Sequence, residues 1–231
     1  TTDGRITAFD EESGEELWGF ERNVPPLSIR GVGDPIIYGD QVIVGFANGK
    51  VFALRLRDGK QIWETSAAIP KGRTEVERLI DLDADPVEAD GVVFLAGYQG
   101  GIVAILTLDG DVLWRSEEVS SYAGLNIDWR YLYVTDTSSN VWQLDQRNGA
   151  ALWKQKDLLH RKLTAPAKIE DAVVVGDLEG YVHWLSDEDG RQLGRVQITD
   201  SSISAMPIVE DDMVYVYATD GTLAGITAQF P

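Results

Sequence analysis

The chain has no cysteine, which removes disulfides, thiolate nucleophiles and cysteine-based metal sites from consideration. Histidine is almost as scarce. His160 and His183 are the only two, so a three-histidine metal centre is excluded, and a histidine-based triad is not expected from two residues of which one lies inside a strand-like run. No apolar stretch approaches the roughly 18 residues that would cross a bilayer as a helix. The opening residues, Thr1-Thr2-Asp3-Gly4, match neither a signal peptide nor a transit peptide. Positive charge is also in short supply, with 20 Lys and Arg against 38 Asp and Glu and a net charge of -18. Such a surface repels phosphate backbones and anionic headgroups. Nucleic acid is therefore not an expected partner, whereas a basic patch on another protein is.

What is present is a repeat. A glycine followed by alternating apolar residues occurs at Gly4, Gly49, Gly100, Gly180 and Gly221, and Ser139 begins a further copy in which serine replaces the glycine. Fourteen residues after this position stand Trp18, Trp63, Trp114 and Trp153, with Gly194 in the fifth copy. Fourteen residues before it stand Pro35, Pro86, Pro166 and Pro207, with Leu125 in the remaining copy. Each unit spells four short strands. In one unit residues 35–38 form the first, and the turn Gly39-Asp40 leads to Val42-Ile43-Val44. Asn48-Gly49 introduces residues 51–54, and Asp58-Gly59 precedes Ile62-Trp63. Asn-Gly and Asp-Gly are turn signals, and Val, Ile, Tyr and Trp favour strands. Four antiparallel strands repeating at about 40 residues define an all-β fold, a β-propeller of four-stranded blades. A lone four-stranded sheet cannot bury both faces, so one tryptophan per unit is expected to staple each blade to the next.

By this count the chain opens and closes on third strands. Two strands come first, then four complete blades, then three strands. That is one propeller domain over residues 1–231, about five to six blades with the first and last incomplete.

Function is sought where the repeat is broken. From each tryptophan position to the next proline position the chain runs 17, 23, 11, 13 and 13 residues. The first two connectors are long, and because strands alternate in direction they should be neighbours on one face. The first carries Leu27-Ser28-Ile29-Arg30, whose two aliphatic residues share one side of an extended segment. Arg30 beside them is a candidate hot spot, although it could equally pair internally while Leu27 and Ile29 cap the blade. The second carries Asp81, Asp83 and Asp85 in alternation, able to meet a cation, an arginine or a basic partner, or to stand as a solvated acidic loop. A calcium loop of EF-hand type is excluded, since Pro86 takes the glycine position and Val92 the bidentate glutamate position. Gly31-Val32-Gly33 lacks the third glycine and the helix of a dinucleotide site, and no carboxylate pair is singled out as acid and base. Residues 157–161 lie in a connector of ordinary length and read as structural.

The run Ala8-Phe9-Asp10, Gly14 and Leu17-Trp18 resembles the repeat of pyrroloquinoline-quinone (PQQ) type propellers, usually eight-bladed. Within that group, several non-repeating phrases resemble the BamB family, lipoproteins of the bacterial outer-membrane β-barrel assembly machine. They are Leu27-Ser28-Ile29-Arg30-Gly31, Glu77-Arg78-Leu79-Ile80-Asp81-Leu82-Asp83, Asp157-Leu158-Leu159-His160-Arg161 and residues 176–184. The resemblance implies a non-catalytic periplasmic scaffold with no cofactor, which binds the POTRA domains of BamA and aids the folding and insertion of outer-membrane proteins, and it leaves open direct contact with unfolded outer-membrane protein substrates. It implies that Leu27, Ile29, Arg30, Asp81 and Asp83 form the docking surface. It also implies that a lipid anchor and further blades precede this region in intact relatives. Two other readings stay open: a PQQ-dependent dehydrogenase, which would need an adjacent cysteine pair and a calcium site, and a sensor propeller for a small ligand.

Overall fold

The computed structural model describes residues 1, 4–22, 33–68, 82, 84–98 and 100–227. Every regular element among them is a β-strand, and no helix is long and apolar enough to cross a membrane. The chain divides into two compact units, Thr1–Tyr122 and Ala123–Pro231.

In the first unit β1 (Arg5–Phe9) pairs with β2 (Glu16–Glu21). A four-stranded sheet follows: β3 (Ile36–Tyr38), β4 (Gln41–Gly45), β5 (Lys50–Arg55) and β6 (Gln61–Ser66). A second is made of β7 (Val87–Ala89), β8 (Val92–Gly97), β9 (Gly101–Leu106) and β10 (Val112–Ser116). The second unit begins with β11 (Leu125–Ile127), β12 (Tyr131–Thr135), β13 (Val141–Asp145) and β14 (Ala151–Gln155). It continues with β15 (Ala167–Ile169), β16 (Ala172–Gly176), β17 (Tyr181–Ser186) and β18 (Gln192–Gln197). Its last sheet has three strands, β19 (Ile208–Glu210), β20 (Met213–Tyr217) and β21 (Leu223–Ile226). All pairings are antiparallel between consecutive strands. The order of two, four, four, four, four and three strands is the order the repeat implies.

The second and third strands of each complete sheet are nearly uniform apolar runs because both of their faces are covered. Side chains alternate between faces, so Ile43 enters one apolar cluster with Val93, Leu95, Val103 and Ile105, while its neighbour Val44 enters another with Phe46, Phe52, Trp18 and Phe20. The second unit repeats the arrangement. Val173 and Val175 pack with Tyr133, Leu158 and Leu163, while Ala172 and Val174 pack with Ile203, Val214 and Val216.

Three tryptophans of the fourth strands reach into the next sheet. Trp18, Trp63 and Trp153 donate their indole N–H to the carbonyls of Leu56, Thr107 and Asp187, each at 2.8 Å. Each acceptor lies in the turn between the third and fourth strands of the following sheet, and a glycine of that same turn lies under the ring. At Gly110 φ is +82°, and an added Cβ would stand 2.8 Å from the Trp63 ring. Gly110→Ala is therefore expected to destabilise by about 2–3 kcal/mol, the sum of left-handed backbone strain and overpacking. Gly39→Ala, where φ is +59° and nothing lies within 4 Å, should cost only about 1 kcal/mol. Equal losses in urea denaturation would show that ring contact is not what selects Gly110.

In every pairing of a third with a fourth strand the register slips once, at the residue before the tryptophan position. The extra residues are Leu17, Ile62, Leu113, Leu152 and Leu193. The first four are 58%, 41%, 50% and 50% exposed. Such a β-bulge turns the tryptophan inward beside an apolar neighbour and bends the outer strand, which makes that edge a poorer template for pairing.

Candidate functional site

Leu27, Ile29 and Arg30 in the first long connector, and Asp81 and Asp83 in the second, lie outside the described residues. Their roots are described, and the exit of the second connector and the returning ends of both lie at the end of the β3–β6 sheet where β4 turns into β5.

The first connector leaves β2 through Arg22. Its amide donates to the Gly4 carbonyl at 3.0 Å, and its guanidinium lies over the Phe20 ring at 4.2 Å and donates to Gln61 Oε1 at 2.8 Å. The second leaves β6 through Ala67 and Ala68, whose amides both donate to the Gly49 carbonyl. Arg115 secures that exit from the neighbouring sheet, donating to the carbonyls of Ser66 and Ala67. The returning ends of the two connectors touch. A Cβ on Gly33 would stand 2.8 Å from the Ala84 carbonyl oxygen and 3.2 Å from that of Leu82. The Asp34 amide donates to Asp85 Oδ1 at 2.8 Å. Leu82, only 4% exposed, packs against Gly45 within the apolar cluster. Asp85, the third aspartate of the alternating set, is thus already engaged as an acceptor for the other connector.

A second polar centre joins two phrases that stand far apart in the sequence. Asp177, buried at the end of β16, accepts from the amides of Glu179 and Tyr181 through Oδ1. Its Oδ2 meets Arg161 Nε at 2.5 Å and His183 Nε2 at 2.8 Å. Burial pushes this carboxyl up, but hydrogen bonds from His183, the Tyr181 amide, Arg161 and the Glu179 amide outweigh it and hold the pKa at about 2. Arg161 also pairs with Glu179 Oε2 at 2.7 Å, and its carbonyl accepts from the Leu178 amide. Leu158 and Leu163 of the same connector are buried. Residues 157–161 thus lock one connector onto the next hairpin, the structural role read from their ordinary length. Asp136 holds the equivalent place in the β11–β14 sheet, accepting from the Ser138 and Asn140 amides, the Asn140 side chain and the Trp142 indole. There too burial raises the pKa, and these donors bring it below the ordinary carboxylate value. The shared signal is an aspartate closing the second strand three residues before the repeat's glycine position, at Asp136 and at Asp177.

Besides each other, the His183–Asp177 pair is hydrogen-bonded to Arg161, Gln192 and the amides of Glu179 and Tyr181. The other ring nitrogen faces the Gln192 amide at 3.3 Å. The described residues do not contain a group of three or more His, Asp and Glu able to hold a metal ion.

Strands of this length in consecutive four-stranded sheets, with tryptophans laid over a glycine of the following sheet at Trp18, Trp63 and Trp153, define a tryptophan-repeat β-propeller. A crystal structure of BamB from Moraxella catarrhalis superposes with a TM-score of 0.90 at 26% identity, over 99% of this chain and 68% of that one. A computationally designed protein, Ika8, shares the fold alone, at a TM-score of 0.74 and 19% identity over 98% of this chain and 66% of that one. The family model described as outer membrane protein assembly factor BamB matches residues 1–155 and 144–229, and the chain belongs to that family. Outer membrane protein assembly factors BamB of Alkalilimnicola ehrlichii and Pseudomonas aeruginosa are each 39% identical, over 88% and 90% of this chain and 53% and 54% of their own. That of Escherichia coli is 36% identical over 89% of this chain and 52% of its own. The chain spans about half the length of the curated relatives it matches.

Proposed function

We propose that this chain is the docking part of a non-catalytic scaffold that assembles outer-membrane β-barrel proteins. On this reading it binds the POTRA domains of BamA through its two long connectors, with Leu27 and Ile29 as apolar anchors, Arg30 as the charged hot spot, and Asp81 and Asp83 as acceptors for basic groups. The observation that supports it most is the contact between the connector roots, Gly33 on Ala84 and Asp34 on Asp85. Two loops that each exceed the ordinary length form one surface only if they start from one place. The burial of Leu82 between the two aspartates in sequence supports the alternation the reading needs. The net charge of -18 favours a basic partner and speeds its approach. The same reading makes residues 1–231 part of a single propeller domain on the periplasmic face of the outer membrane, held there by a lipid anchor on the intact protein.

Arg30→Glu is expected to abolish binding to the POTRA domains in a calorimetric titration, a loss of at least 2 kcal/mol or about thirtyfold, with little change in melting temperature. Saturable binding that survives this substitution would place the interface elsewhere. A variant that unfolds would make Arg30 structural.

A further inference from the structure

The turn between the first and second strands has two residues in four of the sheets, at 39–40, 90–91, 170–171 and 211–212, but three in the β11–β14 sheet, at 128–130. The four short turns are acidic, carrying Asp40, Asp90, Glu170 with Asp171, and Asp211 with Asp212. The long one is larger and formally neutral, with Asp128 at its start and Trp129 and Arg130 at its tip.

This turn is rigid. Asp128 Oδ1 accepts the amides of Arg130 and Tyr131 at 2.7 Å each, and Oδ2 accepts the Tyr133 hydroxyl at 2.9 Å. The Asp128 amide donates to the Tyr131 carbonyl, and Gln146 Nε2, from the turn between β13 and β14, donates to the Asp128 carbonyl at 2.6 Å. With its backbone so fixed, the turn leaves the Trp129 side chain 83% exposed, the most exposed large apolar side chain among the described residues. The Arg130 guanidinium lies 5.9 Å from the Trp129 ring and 5.2 Å from the Tyr131 ring. Arg147 stands in the adjoining turn with its guanidinium on Asp145.

We propose that Trp129 and Arg130 form a binding site for an acidic segment of a partner protein, one in which a carboxylate neighbours an apolar side chain. Arginine recognises carboxylates through two parallel N–H donors. Tryptophan supplies a large apolar face whose rigidity is already provided by the turn, so little ordering entropy is lost on binding. Charge selects the occupant. On a chain of net charge -18 this is the turn of its kind, among the described residues, that carries a cation; Asp128 is engaged by three donors, Asp145, which also interacts with Arg130, is paired with Arg147, and charges beyond about 8–10 Å are screened at physiological salt. The site rests on residues 128–147 alone and does not depend on the role of the long connectors.

The test is an amide and indole NMR titration of the 15N-labelled 231-residue chain. The seven tryptophans give seven indole signals, and the Trp129 signal is assigned by its loss in Trp129→Phe. The probe is the amidated peptide Asp-Glu-Phe-Glu-Asp, with Lys-Lys-Phe-Lys-Lys as its charge-reversed counterpart. The acidic peptide is expected to shift the Trp129 indole saturably and leave the buried indoles unmoved. Arg130→Glu, on an exposed turn, should keep the remaining spectrum and weaken binding at least tenfold. No shift at millimolar acidic peptide, an equal response to the basic peptide, or undiminished binding by Arg130→Glu would each overturn the proposal.

Discussion

Trp63→Ala is expected to cost about 3–5 kcal/mol in urea denaturation, as truncation of a buried tryptophan does where surrounding groups cannot collapse into the space. Collapse is hindered here because the ring lies between two sheets. Its indole donates to the Thr107 carbonyl at 2.8 Å, and its six-membered ring covers Gly110. Removing it leaves that carbonyl without the indole donor and opens the apolar cluster shared by Ile43, Val93 and Ile105. The hydrogen bond accounts for about 1 kcal/mol of the total, so Trp63→Phe should recover most of the loss. Ile62→Ala is the control. Ile62 is the extra residue of the bulge and lies largely exposed, so its truncation should cost under 1 kcal/mol despite being the adjacent residue. A loss below 1 kcal/mol for Trp63→Ala would mean that the sheets are held by their aliphatic faces and that the repeated ring is incidental.

The strands and their order were readable because each is bounded by a turn whose chemistry is local. Gly39-Asp40, Asn48-Gly49 and Asp58-Gly59 mark three of them without any tertiary information. The tryptophan staple was readable because the tryptophan recurs fourteen residues after the repeat's glycine position and a lone four-stranded sheet cannot bury both faces. Three features were not. The bulge before each tryptophan depends on the pairing partner, and all that the sequence offers is a broken alternation in Leu17-Trp18, Ile62-Trp63, Leu113-Trp114 and Leu152-Trp153. The Asp177 centre joins residues 161, 177 and 183 through a fold-dependent contact between a connector and a hairpin. Trp129 lies between Asp128 and Arg130, outside the fourteen-residue spacing, and nothing in the repeat foretells that its turn is one residue longer than the others. For the connectors, length and alternation pointed to the surface. That their roots meet at Gly33 and Ala84 comes only from the way the sheets pack.

Asp177→Asn should be the second most damaging substitution, and the only one of those considered whose effect depends on pH. The native carboxylate faces Arg161, His183 and two amides. Asparagine still accepts from the amides through its oxygen, but its NH2 then confronts the guanidinium, donor against donor. Breaking a buried charged network in this way costs about 3 kcal/mol, here somewhat less because Arg161 remains partly exposed and keeps Glu179. The sign of the pH dependence follows from the native pKa of about 2 against an ordinary value of 3.8. The folded state holds its proton less tightly than the unfolded state. The resulting stability is therefore fully present above about pH 4 and is lost as pH falls from there towards 2. Wild type and Asp177→Asn should accordingly differ most at pH 7 and converge near pH 2. The remaining acid sensitivity of the variant belongs to other carboxylates with lowered values, Asp136 and the solvent-screened Asp145 and Asp220 among them. Arg161→Met separates the two sources of the loss. If the cost comes from stranding the guanidinium, Asp177→Asn in the Arg161→Met background should be milder by at least 1 kcal/mol, a coupling that a double-mutant cycle reads directly. An additive cycle would instead assign the cost to His183 and the amides of the 176–181 hairpin, and make the facing arginine incidental.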